Sequence, residues 1–267
     1  MNTFAEKYEE LLKRVYNNPN YVSNPRGMEV KECLNTVVTC HPAYGLYENK
    51  IRSTNLKYLA GELLWYFSGR NDVEFISKYS KFWKNIANED GTCNSAYGNL
   101  IFKENPNEWN WALESLLKDK DSRQAIIHFN KPIHIKETKD FPCTVYGIFH
   151  IRNNELHFTI HMRSQDLILG APFDYPFFML LQQVMWLQLM QKYPELDLGM
   201  YTHICNSSHI YQRNYELVEN MLKETFLPNC LLVDSQNPIL HKDIIAMTYE
   251  KEYKGYDLFF KWLNENR

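Results

Sequence analysis

Two strand-like runs, VYGIFHI and LHFTIHM, meet across the turn residues Asn153, Asn154 and Glu155, and this hairpin constrains the fold more than any other stretch. β-Branched and aromatic residues fill both runs, and the polar turn reverses the chain between them. Pro142 and Cys143 stand at the mouth of the first run, while Arg163 and Ser164 follow the end of the second. The hairpin therefore places Cys143 and Arg163 on one sheet. Strand ends are where reactive groups collect, and a guanidinium beside a hydroxyl offers the forked donors that suit a phosphate. A thiolate is expected to form more easily near that positive charge. Asp166 and Asp174 follow within a dozen residues.

The chain has 267 residues, 45% of them apolar and 15% aromatic, enough to bury one substantial core, so a single domain over 1–267 is expected. A net charge of −3 leaves no basic footprint for a nucleic-acid polymer; a phosphate ligand should be small and held locally. The six cysteines form no CxxC pair and no dense spacing, which argues against zinc or any other metal and against a disulfide framework. Reduced thiols point to a cytoplasmic protein. MNTFAEKYEELLKRVY lacks the apolar core of a signal peptide. The most apolar stretch, Phe177 to Met190, is interrupted by Gln182, Gln183 and Gln188 and is too short to span a bilayer, so it reads as a core helix with no membrane role.

Helical spacing of Phe4, Tyr8, Leu11, Leu12 and Val15 predicts a first helix ending before Asn17, followed by a loop carrying Arg26. Cys33 to Cys40 is strand-like. Leu56 to Phe67 is an apolar helix in which Glu62 is the only acid, and a carboxyl in such surroundings either reaches solvent or sits buried with a raised pKa. Trp83 and the string NSAYG around Tyr97 fall in a loop, Glu108 to Leu117 in a helix, and DSRQ leads into the strand AIIHF. A long helix is expected from Phe177 to about Gln191 with Pro176 in its first turn and Asp174 as a possible cap. A turn over Glu195 to Gly199 follows. His209 and Tyr211, two apart, point to one side of an extended segment. Arg213 to Leu222 reads as a helix, and Cys230 to Asp234 and His241 to Met247 as two late strands.

The strings PC, RSQDLILG, PFDY and HIY, in that order over roughly Tyr8 to Leu222, resemble the thymidylate synthase family, with its PC nucleophile, RSxDxxLGxPFN loop and HxY pair. The resemblance implies an α/β (α+β) fold with a large curved mixed sheet packed against helices, and a sheet-to-sheet homodimer. It implies Cys143 as the nucleophile that adds to C6 of a pyrimidine nucleoside monophosphate. By the same likeness GELLWYFSG makes Glu62 the general acid and base acting through ordered water. Arg26, Arg163 and Ser164 hold the phosphate, Arg123 reaches it from the partner subunit, and His209 and Tyr211 hold the ribose hydroxyl. The co-substrate implied is 5,10-methylenetetrahydrofolate, with Trp83 and Gly170 lining its site and Asp166 orienting the pterin ring.

The chain departs from the family pattern where the base is read. Asp174 stands in place of the Asn of PFN, Thr144 in place of the usual His after the nucleophile, and Ser207 in place of an Asp before the HxY pair. Asn suits uracil, accepting from N3–H and donating to O4; cytosine reverses that pattern, and a carboxyl fits it better. In this the chain resembles the cytidylate branch, the phage-type deoxycytidylate hydroxymethylases. Gln124 replaces an arginine, Ile86 a second tryptophan, and KGYDLFFKWLNENR has no counterpart of the family's closing tail. These departures imply a hydroxymethylated rather than methylated product. A thymidylate synthase with an eccentric base pocket and a catalytically silent nucleotide-binding homologue remain as alternatives.

Overall fold

The computed structural model describes residues 2–233, 239, 241–249 and 258–267. Helix α1 (Phe4–Asn17) starts at a capping box: Glu6 N–H donates to Thr3 Oγ1 at 3.3 Å, and Thr3 N–H returns to Glu6 Oε2 at 3.1 Å. Its stripe of Phe4, Tyr8, Leu11, Leu12 and Val15 is buried. Strands β1 (Tyr21–Ser23) and β2 (Val30–Cys40) follow, then β3 (Leu46–Glu48), and α2 over Leu56–Phe67 as the periodicity predicts. Short helices α3 (Val73–Ile76), α4 (Phe82–Ile86) and α5 (Tyr97–Phe102) come next, so Trp83 lies on a helical turn instead of a loop. Gly98 lets α5 meet α2, because a Cβ there would fall 1.5 Å from the Tyr66 carbonyl oxygen.

Helix α6 (Glu108–Lys118) leads to β4 (Ile126–His128), β5 (Thr144–Arg152) and β6 (Glu155–Met162). The β5–β6 hairpin turns on Asn153 and Asn154 at φ 52° and 61°, the left-handed region that asparagine tolerates best among residues with side chains. Strand β7 (Gln165–Asp166) precedes α7 (Ala171–Met190), and β8 (Asp197–Tyr211) is the longest strand. The last elements are α8 (Tyr215–Met221), β9 (Leu227–Asn229), α9 (His241–Met247) and α10 (Leu258–Asn266). A mixed sheet runs β1-β2-β8-β6-β5-β4, antiparallel except that β6 and β7 both lie parallel to β8; β3 and β9 form a separate pair. This mixed sheet packed against helices is the expected fold class.

Burial alternates along β5, β6 and β8. One sheet face packs on α1 and α7, with Phe149, Phe158, Ile160 and Tyr201 buried, while Ile148, Thr159, Thr202 and Ile204 on the other face stay partly exposed and Val37 is 61% exposed. Helix α7 is apolar all round and buried nearly throughout. Its glutamines serve as anchors: Gln182 donates to the Leu156 and Gly199 carbonyls, Gln183 to those of Pro42 and Leu231, and Gln188 accepts from the Trp109 indole.

Three expectations are corrected. Helix α7 begins at Ala171, six residues early, because the Gly170 carbonyl accepts from Phe173 and Asp174, and Pro172 takes the first-turn slot assigned to Pro176. Asp174 is therefore inside the helix and caps nothing. The turn expected over Glu195 to Gly199 closes early, since β8 starts at Asp197. Among the described residues neither late strand forms: His241–Met247 is a helix burying Ile244 and Met247 at a three-residue spacing, and Leu231 and Val233 bond to the Gln183 side chain instead of a neighbouring strand. Asp234, the end of the first of them, lies outside the described residues.

Candidate active site

Cys143 lies at the foot of β5, where the hairpin register fixes it to Arg163: the Arg163 N–H donates to the Cys143 carbonyl at 2.9 Å. The guanidinium then folds back on the same loop, Nε to the Pro142 carbonyl at 3.1 Å, Nη2 to that of Phe141 at 2.7 Å, and Nη2 to Cys143 Sγ at 3.5 Å. Arg163 thus braces the cysteine loop as well as charging it. The expected easy thiolate is not what this arrangement yields. Burial pushes the thiol above its ordinary value, the nearby Asp174 and Asp140 carboxyls add to that, and the pull of Arg163 and Arg26 does not offset it. A second brace comes from Asp140, whose carboxylate accepts from the Ser95 amide at 2.8 Å and from the Ser95 hydroxyl, while Asn94 donates to its carbonyl at 2.8 Å. Tyr97, one turn on, accepts from the Thr144 amide at 3.3 Å.

Glu62 is 6% exposed in the middle of α2. Tyr58, four residues earlier on the same helical face, donates its hydroxyl to Glu62 Oε1 at 2.6 Å, and the Trp83 indole N–H donates to that hydroxyl at 3.0 Å. Burial raises the Glu62 pKa to about 8; the Tyr58 bond opposes this and the Asp174 charge adds to it. Asp174, in the first turn of α7, is raised to about 7, again chiefly by burial, with the Gln165 bond opposing and Asp166 adding. Gln165 Nε2 donates to Asp174 Oδ2 at 3.0 Å. Gly170 makes room for that carboxyl: a Cβ on Gly170 would sit 3.0 Å from Asp174 Oδ2. Phe173 and Tyr58 meet edge to face at 4.6 Å, joining the two acid-bearing helices.

Strand β7 continues the line of β6 along β8, pairing Gln165 with Ser208 and Asp166 with His209, so Arg163 and half-buried Ser164 fall in the break between two ladders. Asp166 Oδ1 accepts from the Ile168 and Leu169 amides at 2.8 and 3.0 Å, and Oδ2 has Arg213 at 3.9 Å. His209 is 8% exposed with its pKa lowered by burial, and Tyr211 meets its ring edge to face at 5.1 Å. Arg213 lies over the Tyr211 ring at 4.3 Å. Ser207 turns to the next strand and donates to Glu32 Oε2 at 2.5 Å.

Arg26 is exposed at φ 53° in the turn Pro25–Gly27, close enough for its charge to act on Cys143. Arg123 is not brought to this cluster. The Phe149 N–H donates to the Ala125 carbonyl, so Arg123 lies level with the far end of β5, about 25 Å from Cys143 at the rise of an extended strand. Ile86, at the second tryptophan's position, packs against the core. Sequence reasoning passed over Tyr58, Gln165, Arg213 and the Asp140–Ser95 brace. Only Tyr58 carried a signal, its four-residue spacing from Glu62.

The six cysteines are free. Among the described residues no three His, Cys, Asp or Glu side chains converge to hold a metal ion, and no helix is long and apolar enough to cross a membrane. The thymidylate synthase family model matches residues 6–256, and the chain belongs to that family. The family transfers a one-carbon unit to a nucleotide and draws it from methylenetetrahydrofolate, which makes this protein a transferase of the thymidylate synthase class.

Proposed function

We propose that the protein transfers a one-carbon unit from 5,10-methylenetetrahydrofolate to C5 of a cytidine monophosphate, CMP or dCMP, and releases 5-hydroxymethylcytidylate. The observation that carries this reading is Asp174, a carboxyl raised to about 7 in the first turn of α7, near enough to affect both the Cys143 thiol and Glu62. A neutral carboxyl donates one hydrogen bond and accepts another, matching N3 and the 4-amino group of cytosine; uracil presents the opposite pair.

In this mechanism Arg26, Arg163 and Ser164 take the phosphate, His209 and Tyr211 the ribose hydroxyl, and Asp174 the base. Arg163 spends Nε and Nη2 on carbonyls and Cys143, which leaves Nη1 for the ligand. Cys143 loses its proton as Sγ bonds to C6, the ring's displaced electron pair moves through C4 to N3, and the Asp174 proton follows it there. C5 is then nucleophilic. Methylenetetrahydrofolate supplies the electrophilic carbon. Asp166 suits its pterin, because Oδ2 accepts no protein hydrogen bond at normal length and a pterin edge offers adjacent N–H donors. Trp83 and Gly170 complete that side.

Once C5 has bonded to that carbon, loss of the C5 proton expels tetrahydrofolate, whose nitrogen takes up a proton, and leaves an exocyclic methylene. Glu62, ionising near 8, removes a proton from the water that adds to it, and departure of Cys143 as a thiolate, which regains its proton, restores the ring. Thr144 and Ser207 favour hydration: the Thr144 hydroxyl is buried without a partner, and Ser207 is turned to Glu32. The half-exposed sheet face favours a homodimer, and the distance of Arg123 from its own Cys143 favours a role for it in the partner's phosphate site. Incubation with CMP, dCMP or dUMP and methylenetetrahydrofolate tests the reading. The expected result is a 5-hydroxymethylated cytidylate with no rise in the near-ultraviolet absorbance of dihydrofolate. Stoichiometric dihydrofolate with a 5-methyl product, or turnover of dUMP alone, overturns it.

A further inference from the structure

Gln165 is 2% exposed, and its side chain has little to do with holding the fold. Nε2 reaches Asp174 Oδ2 at 3.0 Å and Met162 Sδ at 3.4 Å, while Oε1 is buried with no hydrogen-bond partner. Leaving a buried carbonyl unpaired is costly. A leucine or methionine in this slot carries no such unpaired oxygen, and what the amide adds is its bond to Asp174. On the other side of Oδ2, a Cβ on Gly170 would press against it at 3.0 Å. Oδ2 is thus the more constrained oxygen of the carboxyl, and among the described residues none donates a hydrogen bond to Oδ1.

We propose that Gln165 is the positioning residue that makes Asp174 a cytosine reader: its amide N–H, fixed on Oδ2, keeps the carboxyl proton on Oδ1 and stabilises the carboxylate left when that proton passes to N3. An oxygen that already accepts an N–H is a poor site for a proton, so the neutral acid carries its hydrogen on Oδ1. The second lone pair of Oδ2 accepts from the cytosine 4-amino group. When Cys143 Sγ bonds to C6 and the ring electron pair reaches N3, the Oδ1 proton moves to N3, and the resulting carboxylate keeps the Gln165 bond throughout. The same proton returns to Asp174 when the C6–S bond breaks. The other titratable groups around Asp174 are Asp166 on β7, Glu62, Tyr58 and Tyr66 on α2, Tyr97 on α5, Cys143 ahead of β5, Tyr175 beside it on α7, and Tyr201 and Cys205 on β8. None donates to its carboxyl, so among the described residues the Gln165 amide is the one hydrogen bond opposing its protonation.

The inference rests on Asp174 facing the base, and the experiment separates the two. Asp174→Asn is expected to move the cytidylate-to-uridylate preference in kcat/KM by more than about tenfold. With cytidylate, kcat/KM of the wild type is expected to fall as pH rises through the Asp174 ionisation, a limb absent from Asp174→Asn. Gln165→Leu removes the donor and should move that limb up by about one pH unit while lowering kcat more than it raises KM. Gln165→Glu keeps the side chain's shape and sets a second carboxyl against Oδ2, so it should move the limb the same way even if Gln165→Leu folds poorly. In the Asp174→Asn background, which has no carboxyl proton to place, Gln165→Leu should cost uridylate turnover less than it costs cytidylate turnover in the wild type. If Asp174→Asn leaves base preference unchanged, the placement of Asp174 fails and the role of Gln165 with it. If base preference moves but the limb stays put in both Gln165 variants, or Gln165→Leu costs equally in both backgrounds, Gln165 is only a packing residue.

Discussion

Glu62 and Asp174, in the inner part of the site, have pKa values raised to about 8 and about 7, whereas Arg26, Arg163 and Arg213 around them are exposed. Glu62 is buried beside Tyr58, and half-buried Asp174 packs near Phe173, Tyr97 and Gln165. In such surroundings burial decides the protonation state, and hydrogen-bond polarity can distinguish one pyrimidine from another. The outer guanidinium groups face water and offer forked donors to a phosphate whatever base it carries. Cys143 stands between the two, its thiol pushed up by burial and by Asp174 and pulled down by Arg163. Selection of the base and retention of the nucleotide are therefore separable functions of neighbouring groups.

The sharpest way to test that division is at the junction. Cys143→Ser keeps the loop's shape and every Arg163 bond to backbone carbonyl, but an alcohol lacks the accessible anion of a thiol. Turnover should fall by at least about a thousandfold, while nucleotide affinity measured by calorimetry stays within about threefold. A loss of binding comparable to the loss of rate would make Cys143 part of the outer, retaining group.

A smaller effect tests whether the outer group is complete within one chain. Cys143→Ser and Arg123→Ala subunits are each expected to be poor enzymes alone. If Arg123 serves the partner's phosphate, mixing and reassociating them regenerates one intact site in each mixed dimer, and random pairing then restores about a quarter of wild-type activity. No recovery after verified subunit exchange places Arg123 outside the site.

What could be read from the sequence follows from how local each signal is. The β5–β6 hairpin, α2 and the apolar α7 were legible because turn chemistry and periodicity act within a few residues, and the fold they imply is the one seen. The start of α7 was misplaced because two prolines, Pro172 and Pro176, both fit a first turn, and only the Gly170 carbonyl bonds decide between them. His241–Met247 looked extended because Ile244 and Ile245 are β-branched, whereas packing against α2 selects a helix. Glu62 and Asp174 were visible as acids in apolar company, but the Cys143 thiol was read from one arginine nearby. Its actual balance includes burial and two carboxyls, one of them 31 residues further along the chain. Gln165 gave no signal at all, since its effect depends on a contact across nine residues and a sharp change from strand to helix.

The gentlest test of the neutral interior is the ligand-free protein's stability against pH. Glu62 has an ordinary value of 4.5 and a folded value of about 8. The folded state thus holds this proton more tightly than the unfolded state. The stability contributed by that proton is fully present below about 4.5, declines as pH rises, and is lost once pH passes about 8. Glu62→Gln cannot ionise, and its amide oxygen can still accept the Tyr58 hydroxyl now bonded to Glu62 Oε1. The melting temperatures of the variant and the wild type should therefore lie close together near pH 4.5. The variant should gain progressively up to about pH 8 and then level off with an advantage on the order of 5 °C. The same series on Gln165→Leu should bend near the Asp174 ionisation instead. A constant difference from pH 5 to 9 would mean that Glu62 reaches solvent in the free protein, and that its proton is held only when ligands close over it.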